Sequence, residues 1–291
     1  MRSKKALVLG AGGNFGGAAA AALAAAGWQV ARYQRGTDMA AAAAGAELIV
    51  NGLNPPKYHA WATLIPEITT SVLAAGKASG AAIMVPGNVY VFGKQAGPWG
   101  AGTPHRPVAR KGQIRAEMEA RYRDAADRGQ KAIIFRAGDF VSASNPGTIM
   151  NILMLNGIAK GKITALGAPD APHAWAELSD LGRGVVALAD QLPTLPAFND
   201  IGFAGLTFSA NELAAEAARR LQRPVTLKQF PWWALRLAAP FWEMGRELGE
   251  MRYLYDTPHS IDGSDFARLV PDFAAKKLAQ VVDEHLVARG L

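Results

Sequence analysis

At 291 residues, half of them hydrophobic and 19% charged, the chain is long and apolar enough to bury a large core, which excludes a disordered protein. It has no cysteine, which excludes disulfides, thiolate metal sites and a cysteine nucleophile, and its five histidines lie far apart with no metal-ligand spacing, so no metal is expected. The formal charge of +7 comes from scattered Lys and Arg, which argues against a nucleic-acid partner, and no uninterrupted apolar run approaches the length needed to span a membrane.

Arg2, Lys4 and Lys5 precede an apolar, alanine-rich stretch, the outline of an export signal. Gly10, Gly12, Gly13, Gly16 and Gly17, with polar Asn14 among them, would weaken any such helix. The opening therefore reads as a strand ending at Leu9, a glycine turn, and a helix over 14–26 stopped by Gly27. "WQVARYQR" predicts a second strand, "DMAAAAAG" a weak helix and "AELIVNG" a third strand. A helix with an early Pro66 follows, then the strand "AAIMVPG", a charged helix from about Lys111 to Arg128, and the strand "KAIIFRAG". This alternation predicts right-handed crossovers and a parallel sheet.

After Phe140 the pattern changes. Gly- and Pro-rich connections surround "NILMLNGIAKGKITALG", and "LSDLGRGVVALADQL" predicts a helix capped by Ser179 or Asp180. "SANELAAEAARRLQ" and residues 271–289 add amphipathic helices. The expected fold is α/β: a Rossmann-like doubly wound parallel sheet over 1–165 and a smaller, mostly helical C-terminal substrate lobe over 166–291, with one strand or helix near 173–192 returning to the core. Trp232, Trp233, Phe241 and Trp242, near the helix breakers Pro231 and Pro240, suit lobe core, a subunit contact or a hydrophobic pocket. Lys228, Arg236, Glu243, Arg246 and Glu247 are mixed in sign, which argues against a membrane-surface helix.

Gly10, Gly13 and Gly16 recur every three residues between a strand and a helix. The first allows a tight turn, the next lets backbone approach a pyrophosphate, and the last permits close helix packing, while the helix start offers N–H groups to phosphate. Gly12, Asn14 and Phe15 complete that cofactor turn. A ribose-binding acid is expected about 20 residues past the first glycine. That region has no acid before Asp38 but holds Arg32 and Arg35, which could clasp a 2′-phosphate, so NADP(H) is favoured over NAD(H). Asn51, Gly52 and Asn54 after the third strand, and Pro86 and Gly87 closing the fourth, belong to the same expected site. Arg136 ends the fifth strand at the edge where ligands of open sheets bind, and suits a structural role equally well.

"GAGGNFG", "GWQVARYQR", "VNGLNPP", "PGNVYVFG", "KGQIRAEME" and "IIFRAGDF" together resemble the extended and atypical short-chain dehydrogenase/reductase superfamily, the NAD-dependent epimerase/dehydratase type, over about the first 140 residues and again at "HAWAELSDLGRGVVAL". The resemblance implies a Ser or Thr after strand four and a Tyr-x-x-x-Lys helix with a Glu four residues later. Anchored on Glu119, Arg115 stands where the Lys belongs, Lys111 where the Tyr belongs, and Asn88 where the Ser or Thr belongs. "KGQIRAEME" is also similar to the helix of the isoflavone-reductase-like and NmrA-like members, which implies that Lys111 serves proton transfer beside NADPH. Lys111 and Arg115 are one helical turn apart, and a neighbouring positive charge lowers a lysine pKa toward a useful range. Asn88 and Tyr90, alternating along one extended segment, would face nicotinamide and substrate together.

The expected protein is a cytoplasmic, NADP(H)-dependent oxidoreductase that reduces a carbonyl or activated double bond of a small organic substrate; a homodimer is one assembly the sequence allows. The alternatives are a non-catalytic NADP(H) sensor, as the NmrA-like members imply, and a nucleotide-sugar epimerase or dehydratase.

Overall fold

A computed structural model describes residues 4–55, 59–238 and 243–291, with only the backbone described at 236–238, 243, 244, 246 and 247. In chain order the elements are β1 (Lys5–Leu9), α1 (Asn14–Ala25), β2 (Gln29–Arg32), α2 (Met39–Ala42), β3 (Leu48–Asn51), α3 (Trp61–Ser79), β4 (Ala82–Gly87), α4 (Arg110–Asp127) and β5 (Ala132–Arg136). There follow β6 (Asp139–Val141), β7 (Lys162–Ala165), β8 (His173–Glu177), α5 (Leu178–Asp190), β9 (Phe198–Gly202), β10 (Leu206–Phe208), α6 (Ala210–Leu221) and β11 (Thr226–Gln229). The chain closes with α7 (Trp232–Ala238), α8 (Glu243–Glu250), α9 (Tyr253–Asp256), α10 (Ser264–Leu269) and α11 (Leu278–Val287).

The central sheet has six parallel strands in the order β2-β1-β3-β4-β5-β9. The chain winds outward from β1 to β2, then crosses back to β3, which makes the Rossmann-like doubly wound arrangement expected from the sequence. Compared with the strand order 3-2-1-4-5-6 common to that fold, the side beyond β2 is one strand short. The four-residue α2 is all the regular structure between β2 and β3, so β2 is the sheet edge.

Alternation along β1 splits the core. Ala6 and Val8 face α1 and α5, packing with Phe15, Leu23, Leu181 and Val185, while Leu7 and Leu9 face α3 and α4, packing with Trp61, Ile65, Met118 and Tyr122. The closest helix pair is α1 and α5: a Cβ on Gly182 would come 2.6 Å from the Ala18 carbonyl oxygen. Segment 166–291 is thus divided between layers, because α5 packs on α1 and β9 completes the central sheet. A separate core, shared with segment 139–165, lies on a three-stranded sheet (β10-β8-β6) and the β11/β7 pair, where Met150, Leu213, Val281 and Leu286 meet.

Glu177, rather than Ser179 or Asp180, caps α5; its carboxylate accepts from the Ser179 and Asp180 N–H groups at 2.9 and 3.0 Å. Ser209 and Glu212 form a reciprocal capping box on α6. In the aromatic stretch Trp232 is buried and donates its indole N–H to the Leu166 carbonyl, whereas Trp233 is 68% exposed; Pro240, Phe241 and Trp242 lie outside the described residues. Among the described residues no helix is long and apolar enough to cross a membrane.

Gly182→Ala is expected to destabilise the protein by about 1–3 kcal/mol, because the added methyl meets backbone that cannot swing away. The denaturant midpoint checks this, and an unchanged midpoint would contradict the close α1–α5 seam.

Candidate functional site

The carboxyl ends of β1 and β3 lie level, with Leu9 beside Asn51, and here the chain reverses its direction of winding. Three glycine backbones interlock at this point. Gly10 adopts φ +68°, and a Cβ on it would come 2.6 Å from the Gly52 carbonyl oxygen. A Cβ on Gly16 would come 2.3 Å from the Gly10 carbonyl oxygen, and one on Gly52 would come 2.8 Å from Gly16 Cα. Gly13 is the N-cap of α1 and has no side chain to accept from the helix's first N–H groups, nor does an acidic residue stand in the first turn. Gly12 and Gly13 are exposed, so these donors open onto a rim where an anion would be stabilised.

The other residues expected at this edge separate into two groups. Arg32, the last residue of β2, and Arg35 are exposed, and among the described residues neither has an ion pair or side-chain hydrogen bond. Asp38 is committed to α2, accepting from Ala40 and Ala41 N–H at 2.9 and 3.2 Å. Asn51 points inward instead: its NH2 group donates to the Tyr122 hydroxyl at 3.2 Å, and its Oδ1 accepts from Leu53 N–H. Burial, partly offset by that amide, raises the Tyr122 phenol to about 12. Asn54 accepts from Arg115 at 3.3 Å, and the Arg115 guanidinium lies 4.9 Å from the Trp61 ring centre.

At the end of β4, Pro86 and Gly87 lead into a turn rather than continued strand. Asn88 Oδ1 accepts from Tyr90 N–H at 3.1 Å, and Tyr90–Phe92 is one turn of 3-10 helix. The expected extended alternation of Asn88 and Tyr90 is therefore corrected, because the asparagine side chain closes the backbone on itself. Gly112 allows α4 to pack on this turn, since a Cβ there would lie 2.4 Å from the Tyr90 carbonyl oxygen.

Lys111 is 2% exposed, and both its backbone N–H (3.0 Å) and its ammonium bind the carboxylate of Glu250 at the end of α8. Burial and this carboxylate hold the nearby Tyr253 phenol well above the usual tyrosine range. Nearby lies an ion network centred on the fully buried Arg136. Arg136 binds Glu119 at 2.7 Å, Asp200 at 2.7 Å and the Asn88 carbonyl at 2.6 Å. Burial opposes its charge, yet Glu119 and Asp200 hold it firmly protonated. These bonds tie β5 to the exit of β4, to α4 and to β9. Asp139 at the start of β6 accepts from His173 Nε2 at 3.0 Å and the Tyr255 hydroxyl at 3.1 Å.

Neither Glu250, 139 residues from Lys111, nor Asp139, His173 and Tyr255 could be placed by local spacing. The segments "IIFRAGDF" and "HAWAELSDLGRGVVAL", which carry Asp139 and His173, bore a signal through the family resemblance, but nothing local pairs the two residues.

No protein-family model and no curated protein sequence matches the chain. Solved structures match over nearly its whole length. MoeE5, solved with UDP-glucose and NAD, is 13% identical, with 98% of each chain covered and a TM-score of 0.76. The fold is that of the nucleotide-sugar epimerases and dehydratases. The UDP-glucuronic acid 4-epimerase of Bacillus cereus, solved with UDP-glucuronic acid and NAD, is 14% identical over 98% of this chain and 99% of its own, with a TM-score of 0.76. TunA, an NAD-dependent NDP-hexosamine 5,6-dehydratase, is 15% identical over 99% and 98%, with a TM-score of 0.73. The superfamily resemblance read from the sequence thus holds for the fold, C-terminal lobe included.

Burial, with help from His173, lowers His259 to about 3, and burial, with Arg289, lowers His285 to about 4. Unfolding lets both take up protons near the ordinary value of 6.5, so they contribute stability above that pH and lose it as the pH falls toward 4. The unfolding free energy, followed through the denaturant midpoint, is expected to drop from pH 7 to pH 4, by up to about 1.4 kcal/mol per pH unit for each histidine. His285→Leu should flatten the slope, and an equal slope in both proteins would refute the assignment.

Proposed function

We propose that this protein binds a nicotinamide dinucleotide across the carboxyl edge of the central sheet and acts as an oxidoreductase on a small organic substrate. The observation that carries this reading is the interlock of Gly10, Gly16 and Gly52 beneath the uncapped start of α1. Side chains there would fill the cradle, and the donors left without a cap fit a pyrophosphate. Pro86, Gly87 and Asn88, at the end of β4, border the edge where the nicotinamide half would lie. The exposed, unengaged Arg32 and Arg35, with Asp38 withdrawn into a helix cap, support NADP(H) over the NAD of the structural neighbours.

When bound, the cofactor supplies the hydride for reducing a carbonyl or activated double bond. The chain's own contribution is the proton, and Lys111 is the residue best suited to hold it. Its ammonium is sequestered from water and held in place by the Glu250 carboxylate, and once it has given a proton to the substrate the lysine is reprotonated from solvent. Tyr90 and the Asn88 NH2 group, on the turn that α4 packs against, would orient the substrate oxygen.

The same lysine pair favours a second reading. With Lys111 closed off by Glu250, and Asn88, Lys111 and Arg115 in place of the Ser, Tyr and Lys of the resemblance, cofactor binding without turnover is a coherent function, that of an NADP(H) sensor. These substitutions count against retained epimerase or dehydratase chemistry, although neighbours of the same fold carry UDP-sugars.

Arg35→Glu is expected to weaken NADPH binding about tenfold or more and to leave NADH binding nearly unchanged. Separate titrations with the two cofactors check it, and an equal change in both would remove Arg35 from cofactor choice. Lys111→Met should keep NADPH affinity and abolish NADPH oxidation across a panel of carbonyl substrates. Retained turnover would exclude Lys111 from the chemistry, and no turnover by the unsubstituted protein on that panel would favour the sensor.

A further inference from the structure

A run of amide side chains connects the C-terminal helix to the dinucleotide loop, and each amide can be oriented in only one way. Asn151 sends its NH2 group to two carbonyls, Ser142 at 2.8 Å and Asn145 at 2.7 Å. Carbonyls only accept, so the Asn151 Oδ1 faces outward, where it accepts from Arg289 at 2.6 Å. Asn145 Oδ1 accepts from Gly147 N–H at 2.9 Å, which leaves its NH2 end for Asn14, 2.6 Å away. A donor needs an acceptor, so Asn14 must meet it with Oδ1.

Asn14 is the first residue of α1, directly after the uncapped Gly13. With Oδ1 engaged, its own NH2 group makes no hydrogen bond among the described residues, and the residue is partly exposed beside the helix's first N–H groups. An NH2 group fixed at that rim adds a donor for an anion. The opposite orientation would place a carbonyl-type oxygen there and repel one.

We propose that Asn145 is a cofactor-positioning residue: by donating to Asn14 Oδ1 it holds the Asn14 NH2 group ready for the pyrophosphate of the dinucleotide. Arg289 holds the loop 142–151 that carries Asn145. This rests on the dinucleotide reading of the glycine loop and assigns a function to a segment outside it. The coupling is physical and contiguous, running from Arg289, just past the end of α11, through Asn151 and Asn145 to α1.

Asn145→Asp tests it, because a carboxylate only accepts and would force the Asn14 amide to turn over. In titrations of the full chain with NADPH, affinity is expected to fall about tenfold or more. Binding of 2′-AMP, which keeps the adenosine phosphate and lacks the pyrophosphate, should be unchanged, as should the unfolding midpoint of the ligand-free protein. In an Asn14→Ala background the further loss on Asn145→Asp should disappear. A loss that persists there would show the new carboxylate repelling the cofactor directly, which overturns the proposal. So would undiminished NADPH affinity, or an equal loss for both ligands. If Asn145→Asp does not fold, Asn145→Ala serves, with a smaller loss that is likewise confined to NADPH and absent when Asn14 is Ala. Failure of the unsubstituted protein to bind any nicotinamide dinucleotide would instead refute the functional reading itself, and this proposal with it.

Discussion

The Gly10 carbonyl oxygen occupies the space that a side chain on Gly16 would need, and Gly52 lies against Gly16 in the same way. This contact of backbone on backbone brings the end of β1, the start of α1 and the exit of β3 to one place. A helix held so close to the sheet edge cannot shift along its axis, so its amino end stays at the point where the winding reverses. The tight seam between α1 and α5 fixes the helix from behind. Rigid placement of backbone donors matters for anion binding because reorientation would otherwise oppose it.

Buried charge organises the neighbouring half of the edge. Arg136 joins α4 through Glu119, β9 through Asp200 and the β4 exit through the Asn88 carbonyl. Buried ion pairs add little net stability, because desolvation offsets their attraction, but breaking one leaves an uncompensated charge. Such a network therefore sets where elements sit more than how tightly the protein folds. It also accounts for Asn88: with the backbone oxygen held by Arg136 and the side chain closing a turn, this position is a rigid corner. Above it, Lys111 and Glu250 tie α4 to the C-terminal lobe, so the lobe's carboxylate meets the helix where the resemblance expects the catalytic tyrosine.

Local chemistry made some features legible before any fold was known. The alternation of β1, the glycine spacing and the helix stop at Gly27 depend on residues a few positions apart, and these identified the first strand, turn and helix. The cap of α5 was misread because Glu177 belongs to a strand, and only the geometry of the strand end turns its carboxylate onto the Ser179 and Asp180 N–H groups. The short connection beyond β2 was legible, because "DMAAAAAG" predicts a weak helix between two strands and α2 is a single turn there. The side-chain partner of Asn51, Tyr122, was not legible, because it comes from a helix 71 residues later.

By itself the sequence determined the class of fold, the strand that carries the glycine turn, and the absence of an acid where β2 ends, because these follow from periodicity, backbone freedom and charge within short windows. Tertiary structure alone decided that β9 completes the sheet, that Glu250 closes on Lys111, and that Asn145 reaches Asn14. Those pairings join residues more than a hundred positions apart or elements from opposite halves of the chain. Packing selects them, and no local preference encodes which distant donor will meet which acceptor.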